Sequence, residues 1–226
     1  MNIRAVLIDI DNTILDFDRC ADEAIKICAK KYKLSLPCNY YEVFSKINDK
    51  LWGLLEQGEI VKQDIYDRRW VEIFEILKIN EDGKAFEEDF RSTIRDVAIP
   101  VEGAQEILSY LSEKYPVYCA SNASRERQEH RLKINGFDRF ISGMFISEDI
   151  GFQKPAKEFF YACQEELYPI APDEIIMIGD SVNADIIGAK NFGFRSLWFN
   201  FRKEEYSDYN FTDFRVNSLI EIKDIL

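Results

Sequence analysis

Histidine is almost absent from this chain of 226 residues, in which His130 is the only one. It lies in a charged stretch of helical character, so a mechanism that needs a histidine-activated nucleophile has one poorly placed candidate. Cysteine is also scarce: the five cysteines are scattered, and none forms the C-x-x-C spacing of zinc and redox sites. We interpret them as reduced thiols, which favours a cytoplasmic location.

Long apolar runs and basic tracts are missing as well. No stretch approaches the ~20 apolar residues that a membrane span needs, and the amino terminus lacks the pattern of a signal peptide. The 41 acidic and 29 basic residues give a net charge of -12. Because such a surface repels phosphate backbones and anionic lipids, we expect no nucleic-acid polymer and no membrane as partner. The expected partner is a small molecule, and the expected assembly is a monomer or a homodimer.

From Pro100 onward, strand-like and helix-like segments alternate. Short apolar runs, typical of strands buried on both faces, are separated by segments with helical periodicity. This alternation indicates a parallel sheet with helices on both faces. The predicted fold class is α/β, a Rossmann-like doubly wound parallel sheet, with strands at residues 5–8, 117–120, 144–146, 175–178 and 195–199, a last short strand, and helices at residues 104–114, 124–135, 155–167, 183–191 and 218–226.

The segment between the first strand and Pro100 has helical periodicity instead. Its clearest part is residues 63–77, whose apolar side chains recur at the spacing of one helix face. We therefore interpret residues 16–96 as a helical cap inserted into an α/β core made of residues 1–15 and 97–226.

Asp9 and Asp11 follow the apolar run at residues 5–8. Open parallel sheets bind ligands just beyond the carboxyl ends of such strands. Two carboxylates placed there repel each other, and their desolvation is costly unless a cation compensates. Mg2+ is commonly bound by one or two carboxylates together with water and a substrate phosphate. The pair therefore predicts a Mg2+ site and phosphate chemistry.

Further polar residues stand at the other strand ends, which should converge on the same edge of the sheet. Each suits phosphoryl transfer: Asp9 as the nucleophile, Asp180 as a second metal ligand, and Ser121 with Lys154 as groups that hold phosphoryl oxygens. Asp11 is left to move the proton, which requires a pKa raised by its neighbours. The residues at these strand ends are Ser121, Asn122, Lys154, Asp180 and Asp185.

Four segments resemble, in order and spacing, the four motifs of the haloacid dehalogenase (HAD) superfamily, and residues 16–96 resemble the cap between the first two. The segments are Asp9-Ile-Asp11-Asn-Thr13, Ser121-Asn122, Lys154-Pro155 and Gly179-Asp180-Ser-Val-Asn-Ala-Asp185. The resemblance implies that Mg2+ is bound by the carboxylates of Asp9 and Asp180 and by the backbone carbonyl of Asp11, with Asp185 supporting the site. Thr13, Ser121 and Asn122 are predicted to bind substrate. The implied activity is hydrolysis of small phosphorylated metabolites through an aspartyl phosphate.

Three further segments, at residues 13–17, 51–60 and 68–70, look like those of cytosolic pyrimidine 5'-nucleotidases with helical caps. This narrower resemblance implies that the substrates are nucleoside 5'-monophosphates. Trp52, Arg68 and Arg69 are the candidate cap residues for contacting a base or ribose, since they offer aromatic and guanidinium surfaces. The alternative is that both arginines are surface charges.

Other functions stay open from the sequence. A phosphomutase or a sugar-phosphate phosphatase of the same superfamily would use the same core residues. A haloacid dehalogenase would share Asp9, but the resemblance implies a non-acidic residue where this chain has Asp11. A phospho-accepting receiver module also uses acidic residues, Ser or Thr, and Lys on a doubly wound sheet, but such modules are shorter and carry no large cap.

Overall fold

The computed structural model describes residues 2–226, which contain a single six-stranded sheet. The strands are β1 (Ala5–Ile8), β2 (Val117–Ser121), β3 (Gly143–Ile146), β4 (Ile175–Gly179), β5 (Arg195–Phe199) and β6 (Phe214–Val216). Their order in the sheet is β3-β2-β1-β4-β5-β6, and every neighbouring pair is parallel. The direction of winding reverses between β1 and β4, which is where doubly wound sheets bind ligands. The predicted Rossmann-like α/β fold is confirmed.

The α-helices of the described residues lie in two groups along the chain. The first four follow β1 without an intervening strand, and the others alternate with the remaining strands. In chain order they are α1 (Phe17–Lys31), α2 (Tyr40–Glu56), α3 (Lys62–Leu77), α4 (Gly83–Arg95), α5 (Ala104–Lys114), α6 (Arg125–Ile134), α7 (Ser147–Ile150), α8 (Lys157–Glu166) and α9 (Gly188–Phe192).

The sheet is buried on both faces. Successive strand residues point to opposite faces, and in β1 Val6 and Ile8 join one apolar cluster while Ala5 and Leu7 join another. The first cluster includes apolar side chains of α5, and the second includes those of α8. This two-sided burial explains why β1 and β4 read as continuous apolar runs.

The chain forms two compact units, one made of residues up to Asp16 together with Ala98–Leu226, the other of Phe17–Val97. Both boundaries lie one residue beyond those expected from the sequence. We call the first the α/β unit and the second, which consists of α1 to α4, the helical unit. The core of the helical unit is aromatic: Trp70 packs against Phe44, Phe86 and Phe90 with ring centroids 4.4–5.6 Å apart.

The carboxyl-terminal segment differs from the prediction. An α-helix was expected over residues 218–226, but Leu219–Asp224 form a 3-10 helix. A period of three residues brings Leu219 and Ile222 to the same side, and both are buried. The 3-10 helix therefore buries both apolar side chains.

Two further predictions concern the environment of the chain. All five cysteines, which lie within residues 2–226, are free, and only Cys38 is exposed. None of the helices formed by residues 2–226 combines the length and the apolar character that crossing a bilayer requires.

Candidate active site

Asp9 lies at the carboxyl end of β1 and is paired with a buried lysine. Oδ1 of Asp9 accepts a hydrogen bond from Nζ of Lys154 at 2.6 Å. The same ammonium donates to Oδ1 of Asp185 and to the carbonyl of Ala120, each at 2.6 Å. Because an ammonium has three hydrogens, these bonds use all of them. Burial lowers the pKa of Lys154, but the carboxylates of Asp185 and Asp9 outweigh it and raise that pKa, so the lysine stays charged.

Asn122 holds the backbone of this lysine. Oδ1 of Asn122 accepts a hydrogen bond from the N–H of Lys154, and Nδ2 donates to the carbonyl of the same residue, both at 2.9 Å. The carbonyl of Asn122 accepts from Oγ of Ser147 at 3.2 Å. Asn122 thus positions Lys154, because both ends of its amide are bonded to the backbone of that residue. Its assignment to substrate binding stays a prediction.

Asp185 lies in a widened turn that follows β4. Residues Val182–Ile187 form a π-helix, and α9 begins only at Gly188, so the α-helix predicted for residues 183–191 is wrong in its first half. The turn is closed by the N–H of Ser181, which donates to Oδ2 of Asp185 at 3.1 Å. π-Helical turns are often found at functional sites, where they redirect a side chain.

The two acidic residues that follow β4 are fixed by different neighbours. A Cβ atom at Gly179 would overlap the carboxylate of Asp185, so glycine at the end of β4 makes room for that side chain. Asp185 is buried as a result, with 1% of its surface exposed. Asp180 is held through its carbonyl, which accepts a hydrogen bond from Nε1 of Trp198 at 2.9 Å.

Asp9, Asp180 and Asp185 form a carboxylate cluster with too little positive charge. One oxygen from each lies within 4.8 Å of the others. Burial raises the pKa of Asp9 to about 7, although Lys154 opposes this shift. Burial also raises the pKa of Asp180 well above its ordinary value, and the charges of Asp9 and Asp185 add to the effect. Three carboxylate oxygens at this spacing fit Mg2+, whose charge would relieve their repulsion.

The side chain of Asp11 is bound by three residues of α6. Oδ1 accepts a hydrogen bond from Arg131 at 2.6 Å, Oδ2 accepts one from Gln128 at 2.8 Å, and Arg127 lies 3.2 Å from Oδ2. Burial raises the pKa of Asp11, but Arg131 and Arg127 together outweigh burial and lower it to about 2. The raised pKa predicted from the sequence is therefore wrong for this arrangement, because two guanidinium groups dominate over the neighbouring carboxylates.

Ser121 and Thr13 contribute buried hydroxyl groups. Ser121 ends β2, and its Oγ accepts hydrogen bonds from the N–H of Ala123 at 3.1 Å and from Nε2 of Gln128 at 3.0 Å. Thr13 is fully buried, and its Oγ1 has no hydrogen-bond partner among residues 2–226. A buried hydroxyl without a partner is uncommon in folded proteins. The assignment of Thr13 and Ser121 to substrate binding stays a prediction.

Four residues of this site were missed from the sequence: Arg127, Gln128, Arg131 and Trp198. Three of them lie on α6, a helix between two strands of the sheet. Such a helix normally buries an apolar stripe, yet apart from Leu132 the buried residues of α6 are Gln128 and Arg131. A helix of an α/β core with almost no apolar face is the sequence signal that could have revealed them.

The three candidate cap residues lie in the helical unit, on α2 and α3. Arg69 is buried, and its guanidinium is bonded to both carboxylate oxygens of Glu87 and to Oδ1 of Asn48. The prediction that Arg69 contacts substrate is therefore wrong, because its guanidinium donates to Glu87 and Asn48 within the helical unit. Arg68 is half-exposed and donates to Glu72 at 2.8 Å. Trp52 is half-buried.

Comparisons with known proteins agree with this geometry. The haloacid dehalogenase-like hydrolase family matches residues 3–193. The HAD-hydrolase YfnB of Bacillus subtilis is 29% identical over 197 residues, which are 87% of this chain and 84% of YfnB. Pyrimidine 5'-nucleotidase PynA of Streptococcus pneumoniae is 29% identical over 201 residues, which are 88% of this chain and 85% of PynA. The magnesium-bound crystal structure of YfnB has a TM-score of 0.94 at 27% identity, covering 100% of this chain and 99% of that one. The chain belongs to the haloacid dehalogenase-like hydrolase family.

Proposed function

We propose that this hydrolase is a Mg2+-dependent phosphatase that cleaves small phosphorylated metabolites through an aspartyl phosphate. The observation that carries the proposal is the group at the ends of β1 and β4. There the Asp9 carboxylate is bonded to Lys154, and an oxygen of each of Asp180 and Asp185 lies within 4.8 Å. A nucleophilic carboxylate, a fixed ammonium and a set of oxygen donors for a divalent cation are the parts that phosphoryl transfer needs.

The first half-reaction transfers the phosphoryl group to Asp9. A carboxylate oxygen of Asp9 forms a bond to phosphorus while the bond from phosphorus to the leaving oxygen breaks, and the leaving oxygen takes a proton. Lys154, charged and buried, offsets the negative charge of the phosphoryl oxygens. When bound, Mg2+ supplies further positive charge to the same oxygens.

The second half-reaction returns Asp9 to its starting state. Water attacks phosphorus, the bond to the Asp9 oxygen breaks, and inorganic phosphate leaves. We assign the proton transfers of both steps to Asp11. With its pKa lowered to about 2, Asp11 is a carboxylate in the described arrangement and a weak base while both guanidinium groups hold it. When its bonds to Arg127 and Arg131 loosen, its pKa rises and it takes up a proton from solvent. It gives that proton to the leaving oxygen in the first step and recovers one from the attacking water in the second.

The proposed substrates are nucleoside 5'-monophosphates, with pyrimidine nucleotides such as UMP, dUMP and dTMP preferred. The similarity to PynA supports this choice. Core residues bind only the phosphoryl group, so selectivity must come from other side chains. In the helical unit, half-buried Trp52 and half-exposed Arg68 remain as candidates. The free state of all five cysteines fits the cytoplasmic location that we propose.

Turnover of p-nitrophenyl phosphate with Mg2+ tests the phosphatase activity. We expect many product equivalents per chain and none after chelation of the metal. Release of a single equivalent would indicate a phospho-accepting receiver module, and chloride release from 2-chloropropionate without metal would indicate a dehalogenase. A requirement for a bisphosphate activator would indicate a phosphomutase.

Values of kcat/KM across nucleotides and sugar phosphates test the substrate class. A preference above tenfold for a sugar phosphate would refute the nucleotidase assignment and leave the phosphatase mechanism standing. The variant Trp52→Leu should lower kcat/KM for UMP about tenfold, since an aromatic contact is lost. The same variant should hydrolyse p-nitrophenyl phosphate at nearly the rate of the wild-type protein.

A further inference from the structure

Gln128 joins two groups of the proposed active site. Its Nε2 donates to Oγ of Ser121 at 3.0 Å and to Oδ2 of Asp11 at 2.8 Å, and its Oε1 accepts from Arg131 at 3.1 Å. The side chain is fully buried. Its orientation is fixed by its partners, because a carboxylate can only accept and a guanidinium can only donate. The amide nitrogen must therefore face Ser121 and Asp11.

This orientation determines what the Ser121 hydroxyl can do. A hydroxyl oxygen has two lone pairs and one hydrogen. Gln128 occupies one lone pair, and the N–H of Ala123 occupies the other at 3.1 Å. The hydroxyl can then act only as a donor, and its hydrogen has no acceptor among the described residues. The oxygen that it binds must be one that accepts, such as an anionic phosphoryl oxygen.

We propose that Gln128 is a positioning residue that commits the Ser121 hydroxyl to donating toward a phosphoryl oxygen of the substrate. The proposal rests on the phosphatase function proposed above and assigns a role to a side chain that does not itself touch the substrate. The contact with Asp11 gives Gln128 a second effect. Loss of the Ser121 contact should weaken phosphate binding, whereas loss of the Asp11 contact should lower kcat.

Competitive inhibition by inorganic phosphate, with Mg2+ and p-nitrophenyl phosphate present, measures the first effect. Ser121→Ala should weaken phosphate binding about 10- to 100-fold, because it removes a hydrogen bond to a charged group. Gln128→Glu keeps the shape of the side chain but turns a donor into an acceptor, which draws the serine hydrogen away from phosphate. We expect a similar loss. Gln128→Met only frees the hydroxyl to rotate, so its loss should be smaller, about threefold.

The double variants separate this role from a general effect of charge or packing. If Gln128 acts through Ser121, then Gln128→Glu and Gln128→Met should change phosphate affinity little in a Ser121→Ala background. An equal loss in both backgrounds, or no loss in either, would overturn the proposal. Gln164→Met is the matched control, since it also removes an amide donor, which there bonds the carbonyl of Ile170 at 2.7 Å. It should leave phosphate affinity unchanged.

The wild-type protein distinguishes the two ways of failing. If it neither turns over phosphate esters nor is inhibited by phosphate, the proposed function and the role of Gln128 both fall. If it does both, and the Gln128 variants bind phosphate as tightly as the wild type, only the role of Gln128 falls. If Gln128→Glu does not fold, the double-mutant cycle of Gln128→Met and Ser121→Ala tests the role of Gln128 in the same way.

Discussion

Each of the two units of the molecule buries a cluster of charged side chains, and the clusters differ in their balance. In the helical unit, Arg69 faces Glu87 in a two-pronged ion pair with distances of 2.5 and 3.1 Å, and Asn48 accepts a further bond. One positive charge meets one negative charge there. In the α/β unit, the carboxylates of Asp9, Asp180 and Asp185 lie together, and the ammonium of Lys154 is bonded to two of them, Asp9 and Asp185. The charge of Arg202 also acts on Asp180, but burial and the two other carboxylates outweigh it.

The difference shows which kind of buried charge indicates a binding site. A balanced pair with satisfied hydrogen bonds can be complete within the protein, and it stabilises or specifies the fold. An excess of one sign is unfavourable by itself, because burial and repulsion both oppose ionisation. The raised pKa values of Asp9 and Asp180 express that cost. Such an excess indicates a ligand of opposite charge.

Changing an acid to its amide in the unbalanced cluster should have the largest effect on activity. Asp9→Asn removes the nucleophile, so we expect kcat for p-nitrophenyl phosphate to fall by more than ~10^4-fold. Because the change also removes one of three repelling carboxylates, the metal-free melting temperature should stay the same or rise. Steady-state kinetics and circular dichroism measure both. A folded variant with wild-type kcat would exclude the covalent mechanism.

Asp11→Asn should have the next largest effect. It keeps the backbone carbonyl that the family resemblance assigns to the metal, but it loses proton transfer, which is typically worth ~10^2- to 10^4-fold in rate. Hydrolysis of the intermediate should slow, so that a phosphorylated Asp9 becomes visible by mass spectrometry. Retention of the wild-type rate at every pH would contradict the role of Asp11.

In the cluster of Arg69 and Glu87, changing the acid to its amide should affect the stability of the protein and not the rate of the catalysed reaction. Glu87→Gln leaves Arg69 buried without its counter-charge, which should lower the free energy of unfolding by ~3 kcal/mol. Urea denaturation measures the loss. Asp67→Asn is the control in the same unit, since the pair of Asp67 with Lys84 is exposed and should contribute at most ~1 kcal/mol. Equal losses in the two variants would contradict the distinction.

The sequence predicts the members of the carboxylate cluster better than it predicts the partners of Asp11. Asp9, Ser121 and Asp180 stand at strand ends, so their convergence follows from the parallel sheet, whereas Lys154 lies in the loop between α7 and α8. The partners of Asp11 come from α6, and a side chain's partner on a helix depends on the angle at which that helix packs. Periodicity does not give that angle, so the pKa of Asp11 was assigned the wrong direction.

Arg69 shows the same limit within the helical unit. In the sequence, Arg69 lies beside the apolar stripe of its helix. That position is compatible with a surface charge or with a substrate contact. Its burial depends on Glu87, which lies on α4 and is separated from it in sequence. Pairs between different helices are set by tertiary packing, and local patterns contain no direct information about them.

Mg2+ should stabilise the protein, and more so at high pH. Saturation at ~100 times the dissociation constant adds ~2.7 kcal/mol to the native state. Metal ligands must be deprotonated, and burial raises the pKa of Asp9 to about 7, so protons compete with the metal below that pH.

The sign of the pH effect follows from Asp9. Its folded pKa, about 7, exceeds the ordinary value of 3.8. Between these two pH values, the folded metal-free protein therefore binds more protons than the unfolded chain, and this proton binding stabilises the folded state. The stabilisation is lost as the pH rises through 7. The rise in melting temperature on adding Mg2+ should thus be larger at pH 8 than at pH 6. Asp180→Ala should flatten that rise, whereas Asp173→Ala, at an exposed position of the same unit, should leave it intact. An equal rise at both pH values would show that no proton is displaced when Mg2+ binds.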